Sequence, residues 1–252
     1  TINQVADGLL AAQRAGLPTV ALGLLPAGTA NVLAYDLGLP VPSLGQSQTI
    51  VQAARLLLTA SVEYLDVGRA RTVSGERTFL CWCGVGLDAA VAQAVESRPQ
   101  IKSLFGKAFF GAILLAVASQ PDSVTTYTIE VDGQPWRGRG ILAVASNIRR
   151  YATVFTMAPN ARLNDGLLDF AFFAETDPVS AMQIVRSLLV GRHARHPSVR
   201  TTQARRIVIE TKTPQPIHLD AEPVGVTPVV VEVAPRALPV LIPPTARANA
   251  LL

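Results

Sequence analysis

Three short stretches carry side chains whose types and spacing suit phosphate, metal or proton chemistry. In Pro26–Ala27–Gly28–Thr29–Ala30–Asn31 a turn joins an apolar run to a helical pattern. Gly28 lets a backbone approach a ligand, the Thr29 hydroxyl is placed to donate to a phosphate oxygen, and a helix N-terminus favours negative charge. Asn31 is placed to hydrogen-bond across the loop, and an ordinary strand-to-helix turn capped by Thr or Asn has the same pattern. No GxxxxGK[ST] P-loop occurs. In His218–Leu219–Asp220–Ala221–Glu222–Pro223 two carboxylates stand two residues apart. An extended backbone points both to one side, where they can hold Mg²⁺ or divide proton transfer and orientation between them. A solvated acidic turn is the plainer alternative, and His218, on the other face, reads as structural. In Arg162–Leu163–Asn164–Asp165–Gly166–Leu167 one Asp in a tight turn can hold a hard cation together with backbone carbonyls, or can simply be an Asp-Gly turn. Gly84–Val85–Gly86–Leu87–Asp88 is a weaker candidate, its small residues suiting close packing at a strand end.

The elements that must position these groups change character along the chain. Apolar residues at 2, 5, 6, 9 and 10 predict a helix over 1–16, with Thr1 at the N-cap and Gly16 and Pro18 as stop signals. A helix opening on the first residue implies an upstream strand and loop. Residues 19–25 predict a buried parallel strand, followed by helices from about Asn31 to Gly38 and over 46–59. This α–β–α order is the tail of a doubly wound unit, whose ligand crevice lies at the carboxyl ends of its strands. Beyond Ala60 short strands alternate with turn signals, and Val131–Asp132–Gly133–Gln134 reads as a type I′ hairpin. Helical segments interrupt at 86–119 and at 177–190, the latter opened by Asp177–Pro178. Cys81 and Cys83 flank Trp82, a spacing that puts both on one face of a strand. They read as buried free thiols, since a disulfide across two residues is strained and zinc requires more ligands.

Composition bounds the class. The 252 residues are 49% hydrophobic and only 16% charged, which excludes a disordered chain. The net charge of +4 is without a Lys/Arg block of the kind that forms a nucleic-acid arm. The longest uncharged apolar run, Ala108 to Ala118, falls short of the ~18–20 residues that span a bilayer.

Taken together and in order, these segments resemble the diacylglycerol kinase catalytic-domain family, with its bacterial lipid kinase and sphingosine kinase relatives. TINQVADGL resembles the continuation of a Gly-Gly-Asp-Gly-Thr-x-Asn-Glu motif, with Gln4 at the Glu position. LPAGTANVLAYDLGLP resembles Pro-x-Gly-Thr-x-Asn-Asp-x-Ala, with Val32 at the Asp position. CGVGLDAAV, NIRRYATVFTMAPNARLNDGLLDF and HLDAEPVGVTPVVVEVAPRALPVLIP follow in the family's order, with Ala221 where the family has Gly. The resemblance implies an α/β plus β-sandwich, NAD-kinase/diacylglycerol-kinase-like two-domain fold, its N-terminal α/β domain incomplete. The α/β part would span 1–61, a β-rich lipid kinase domain 62–243 and a tail 244–252, with the final strand packed back on the first domain. It implies transfer of the ATP γ-phosphate to a hydroxyl of diacylglycerol or a related long-chain lipid, as in phospholipid biosynthesis. The alternatives are a small-molecule kinase of the NAD kinase type and a degenerate nucleotide- or lipid-binding regulator. By resemblance, Thr1, Asn3, Gly28, Thr29 and Asn31 would serve ATP, Glu222 would accept the proton with Asp220 beside it, and Asp165 with the main-chain oxygens of Arg162 and Leu167 would hold Mg²⁺. The expected setting is a homodimer, cytoplasmic and peripheral at the inner membrane face, meeting lipid and no nucleic acid.

Overall fold

The computed structural model describes residues 2–28, 31–42, 49–87, 124–151, 155–175 and 177–244. Three helices come first: α1 (Ile2–Arg14), α2 (Val32–Asp36) and α3 (Thr49–Leu57). Strands β1 (Ser61–Thr72), β2 (Gly75–Phe79), β3 (Trp82–Gly86), β4 (Thr125–Val131) and β5 (Gln134–Ser146) follow. A small hairpin of β6 (Arg150–Tyr151) and β7 (Phe155–Thr156) precedes β8 (Leu168–Ala174) and α4 (Pro178–Leu188). The chain ends in β9 (Val199–Ala204), β10 (Arg206–Thr211), β11 (Pro216–Leu219), β12 (Glu222–Val226) and the long β13 (Val229–Ile242).

One sheet runs β12-β11-β3-β5-β4-β10-β13-β1-β2, with β8 and β9 branching from β5. The branch is made at Gly140, where a Cβ would overlap the Phe172 ring and stand 2.8 Å from the Phe173 carbonyl oxygen. Two buried clusters sit on its faces. Phe79, Tyr127, Phe170, Ile207 and Ile217 fill the interior of the β-rich part. Ala6, Leu10, Leu33, Leu37, Val67, Leu238 and Val240 lie under the helices. The second cluster depends on β13, which pairs with β1 and touches the N-terminal segment through Leu22.

Several expectations hold. Asp132 and Gly133 both have positive φ, 46° and 82°, as a type I′ turn requires. Asp177 caps α4, its carboxylate accepting from the Val179 and Ser180 N–H groups at 2.9 and 3.0 Å. The expected strand at 19–25 is instead a single parallel bridge, Leu22 to Val240. A parallel strand buried on both faces requires neighbours on both sides, and among the described residues only β13 lies beside this run, leaving Val20 and Leu25 exposed. The helical expectation at 86–119 falls almost wholly outside the described residues. RTFLCWCGVGL forms two strands broken at Leu80–Cys81, so the cysteines do not share a face: Cys83 packs in the β-rich interior and Cys81 in the cluster under the helices. Both are buried free thiols, and burial pushes the Cys81 thiol well above its ordinary value, reinforced by the Asp220 and Asp36 charges. Among the described residues no helix is long and apolar enough to cross a membrane.

Candidate functional site

The β2–β3 break and the β11–β12 hairpin build one another. Leu219 pairs with Glu222, so Asp220 and Ala221 are the two central residues of a tight turn, with φ of 49° and 71°. This corrects the expectation of an extended segment with two parallel carboxylates: a turn sends them to different places. The Asp220 carboxylate turns inward and accepts from the backbone N–H groups of Leu80, Cys81 and Trp82 at 2.8, 2.8 and 2.9 Å. Burial pushes its carboxyl up, and the three donors act against that push. Asp220 is thus the anchor of the turn, with both of its oxygens engaged by the backbone. His218 anchors the other side. Its Nδ1 accepts from the Ala221 N–H at 3.2 Å, which leaves the neutral ring's proton on Nε2, 3.2 Å from the Tyr151 hydroxyl.

Glu222 begins β12 half-exposed, 3.0 Å from the Arg77 guanidinium of β2. Burial tends to raise its carboxyl, and the hydrogen bond and charge of Arg77 act against that push. A pair this exposed adds little stability, so its consequence is electrostatic: an ionised carboxylate of fixed direction. Arg77→Ala is expected to let the Glu222 carboxyl rise, read by NMR titration of that carboxyl, and a midpoint that stays in place would show that Arg77 does not tune this group.

The next residue of β2 fixes the N-terminal helix. The Asp7 carboxylate accepts from the Thr78 N–H at 3.0 Å. Asn3, one turn nearer the N-terminus on the same face, is buried, while Gln4 is exposed. Adjacent residues of one strand therefore hold Glu222 and the helix carrying Asn3. On the Gly28 turn, Asn31 folds back: its Oδ1 accepts from the Gly28 N–H at 2.9 Å and its Nδ2 donates to the Gly28 carbonyl at 2.5 Å. Thr1 and Thr29 lie outside the described residues.

Ala221 carries the substitution with a physical cost. A left-handed conformation costs a non-glycine residue about 1 kcal/mol. Ala221→Gly is expected to raise the melting temperature by about 2–4 °C, read by thermal unfolding, and a fall would contradict the turn geometry.

The third stretch is held by a residue the sequence reading missed. A bulge in β1 between Leu65 and Val67 takes Asp66 out of the β1–β13 register. Its carboxylate accepts from the Gly166 N–H at 2.6 Å and the Arg236 N–H at 2.7 Å, and its own N–H donates to the Leu163 carbonyl at 2.6 Å. Asp165 accepts from the Leu167 N–H at 3.0 Å. Burial, helped by the Asp165 charge, raises the carboxyls of Asp66 and Asp169, the latter to about 6. The Asp165 charge thus acts on both carboxyls from the 162–167 loop, and a hard cation bound to Asp165 would offset it. Among the described residues no three His, Cys, Asp or Glu side chains converge on one metal point, so such a cation would rely on carbonyl oxygens. The Gly84–Asp88 stretch is packing: a Cβ on Gly86, at φ 99°, would stand 2.6 Å from the Ile141 carbonyl oxygen. Asp88 lies outside the described residues.

A cavity of about 1080 Å³ opens between α2, α3 and the β6–β7 hairpin. Leu39, Pro40, Val41 and Leu56 give it apolar walls, and Arg55, Arg149 and Arg150 give it cations. Asp36 accepts from the Arg149 N–H at 3.0 Å, and Arg150 lies over the Tyr35 ring at 4.4 Å. Trp82 donates from Nε1 to the Arg150 carbonyl at 2.8 Å and packs on Tyr151 at 4.8 Å. The cavity wall, the β2–β3 break and the Glu222 hairpin are consequently one connected unit.

Comparison with known proteins fits this arrangement. Residues 1–70 match the diacylglycerol kinase catalytic domain, and residues 82–242 match the YegS C-terminal NAD kinase beta sandwich-like domain. The chain is 26% identical over 230 residues to a diacylglycerol kinase of Bacillus subtilis (strain 168), covering 90% of this chain and 70% of that protein. It is 25% identical over 246 residues to a protein of Escherichia fergusonii named "Probable lipid kinase YegS", covering 97% of this chain and 75% of that one. A crystal structure of a diacylglycerol kinase from Bacillus anthracis str. Sterne superposes with a TM-score of 0.65 at 19% identity, over 90% of this chain and 69% of that chain. With both matches in the expected order and the second spanning well over half its length, the chain belongs to the family defined by the YegS C-terminal NAD kinase beta sandwich-like domain, preceded at residues 1–70 by a match to the diacylglycerol kinase catalytic domain.

Proposed function

We propose that the protein is a lipid kinase that moves the γ-phosphate of ATP to a hydroxyl of diacylglycerol or a similar long-chain lipid. The observation that carries this reading is the double anchorage on β2, where Arg77 holds the Glu222 carboxylate and Thr78 holds the helix bearing Asn3. A proton acceptor and the candidate phosphate-binding N-terminal segment are thereby fixed to one rigid element. In the transfer, the lipid hydroxyl oxygen forms a bond to the γ-phosphorus, the bond to ADP breaks, and the hydroxyl proton passes to Glu222. An ionised carboxylate is a weak base toward an alcohol and takes its proton late, as the new bond forms. Asp220 and His218 act by holding the turn that aims Glu222. The apolar walls and three arginines of the cavity suit an acceptor that is part hydrocarbon and part polar.

Mg²⁺ would be held at the 162–167 loop by Asp165 with the Arg162 and Leu167 carbonyl oxygens, where it would offset the Asp165 charge and brace the wall beside Asp66. At about tenfold excess over its dissociation constant, Mg²⁺ is expected to raise the melting temperature by roughly 3–5 °C. Asp165→Asn should abolish the shift. An equal shift in that variant would place the ion elsewhere.

The reading is tested by ADP formation over an acceptor panel of dispersed diacylglycerol, a long-chain amino alcohol and NAD. Lipid-dependent ADP release supports it. Release with NAD alone would favour a small-molecule kinase, and ATP binding without turnover a regulator.

A further inference from the structure

We propose that α4 and the turn after it form a docking surface for an anionic lipid bilayer, distinct from the Glu222 hairpin and the cavity. The inference rests on the lipid-kinase reading only in supplying a reason for the membrane; the surface itself stands on its own observations. On α4, Ile184 and Leu188 face the core, whereas Val179 and Met182 are exposed and Leu189 and Val190 extend the exposed apolar strip past its last turn. Val179 is 68% exposed and Val190 65%, and with Met182 and Leu189 they make one apolar strip rather than scattered single residues. Arg186 lies on the same strip, and Arg192 and Arg195 follow it, all exposed.

Charge selects the occupant. From Pro178 to Ile209 the chain has six arginines and no Asp or Glu, so this stretch alone exceeds the whole chain's net charge of +4. Arg206 at its far end is paired with Glu130 and Glu232, whereas no ion pair involves Arg186, Arg192 or Arg195 among the described residues. The two carboxylates that precede the helix in sequence are engaged, Asp177 in capping it and Glu175 with Arg139 at 2.6 Å. A second copy related by a two-fold axis through this strip would bring arginine against arginine. An anionic bilayer accepts both features, taking valine and methionine below the headgroups and the arginines at the phosphates.

The surface also communicates with the candidate site by contact. Gly191, at φ 65°, closes the turn after α4 directly against Thr156, where a Cβ would be 3.1 Å from the Thr156 methyl. Thr156 lines the arginine-walled cavity, and its hairpin partner strand carries Tyr151, which meets His218. A bilayer seated on α4 is therefore one hairpin away from the cavity.

The test is co-sedimentation of the protein with vesicles of phosphatidylcholine alone or mixed with phosphatidylglycerol. Binding to the mixed vesicles, weakened by salt, is expected. R186Q/R192Q/R195Q should lower the partition constant roughly 100-fold, and V179S/M182S/V190S should also lower it, with thermal unfolding unchanged because all six side chains are exposed. Both variants should retain turnover of a short-chain, water-dispersed lipid, which needs no docking. Equal binding to both vesicle types, or unchanged binding in both variants, would overturn the proposal. So would a variant that dissociates a dimer in sedimentation velocity while binding vesicles as before. Loss of binding in the variants of a protein that phosphorylates no lipid would uphold the docking surface and remove the kinase reading.

Discussion

Replacing Asp220 by Ala is expected to lower the melting temperature by about 10 °C. Three backbone N–H groups, of Leu80, Cys81 and Trp82, lose their only carboxylate at once. Each buried donor left unsatisfied costs about 1–3 kcal/mol, and relief of the carboxylate's own burial returns part of the total. A net loss on the order of 3–5 kcal/mol follows, and a chain of this length loses about 2–4 °C for each. Asp220→Asn should fall between, because its amide keeps one acceptor and turns an N–H₂ toward a donor. Thermal unfolding of the two variants measures this directly. Activity should fall with stability, since the same turn aims Glu222, and a variant with wild-type unfolding would show that the β2–β3 break is held by something other than this carboxylate.

Glu222→Gln should lower kcat about 10²–10⁴-fold while leaving the fold intact. The amide preserves shape and can still accept a hydrogen bond from Arg77, so only proton acceptance is removed. The half-exposed setting of the pair makes the stability change small. Because the group acts in the transition state, kcat and kcat/KM should fall together, with KM for the lipid little changed. A fall confined to KM would instead make Glu222 a binding group.

Local signals made part of this legible in the sequence. Asp132–Gly133 and Asp177–Pro178 announce a hairpin and a helix start through residues that solve a local backbone problem, and both stand where expected. Ala221 was suspect because the family has Gly there, and its φ of 71° bears out the strain. The distant pairings were not legible. Leu80–Cys81 carry no turn residue, and the chain breaks there because a carboxylate about 140 positions away accepts from three successive N–H groups. The same contact puts Cys81 and Cys83 in different cores. Asp66 reads as an ordinary strand residue until the β1 bulge turns it onto the 162–167 loop. Arg77 gave no signal either, since its partner lies 145 residues on in sequence.

The central claim is tested most directly by following the labelled γ-phosphate of ATP in mixed micelles containing diacylglycerol, with wild type and Glu222→Gln side by side. The account predicts label in the organic phase with wild type and its near-complete loss in the variant, both proteins remaining folded. Label confined to the aqueous phase for a folded wild type that binds ATP, or undiminished lipid labelling by Glu222→Gln, would contradict it.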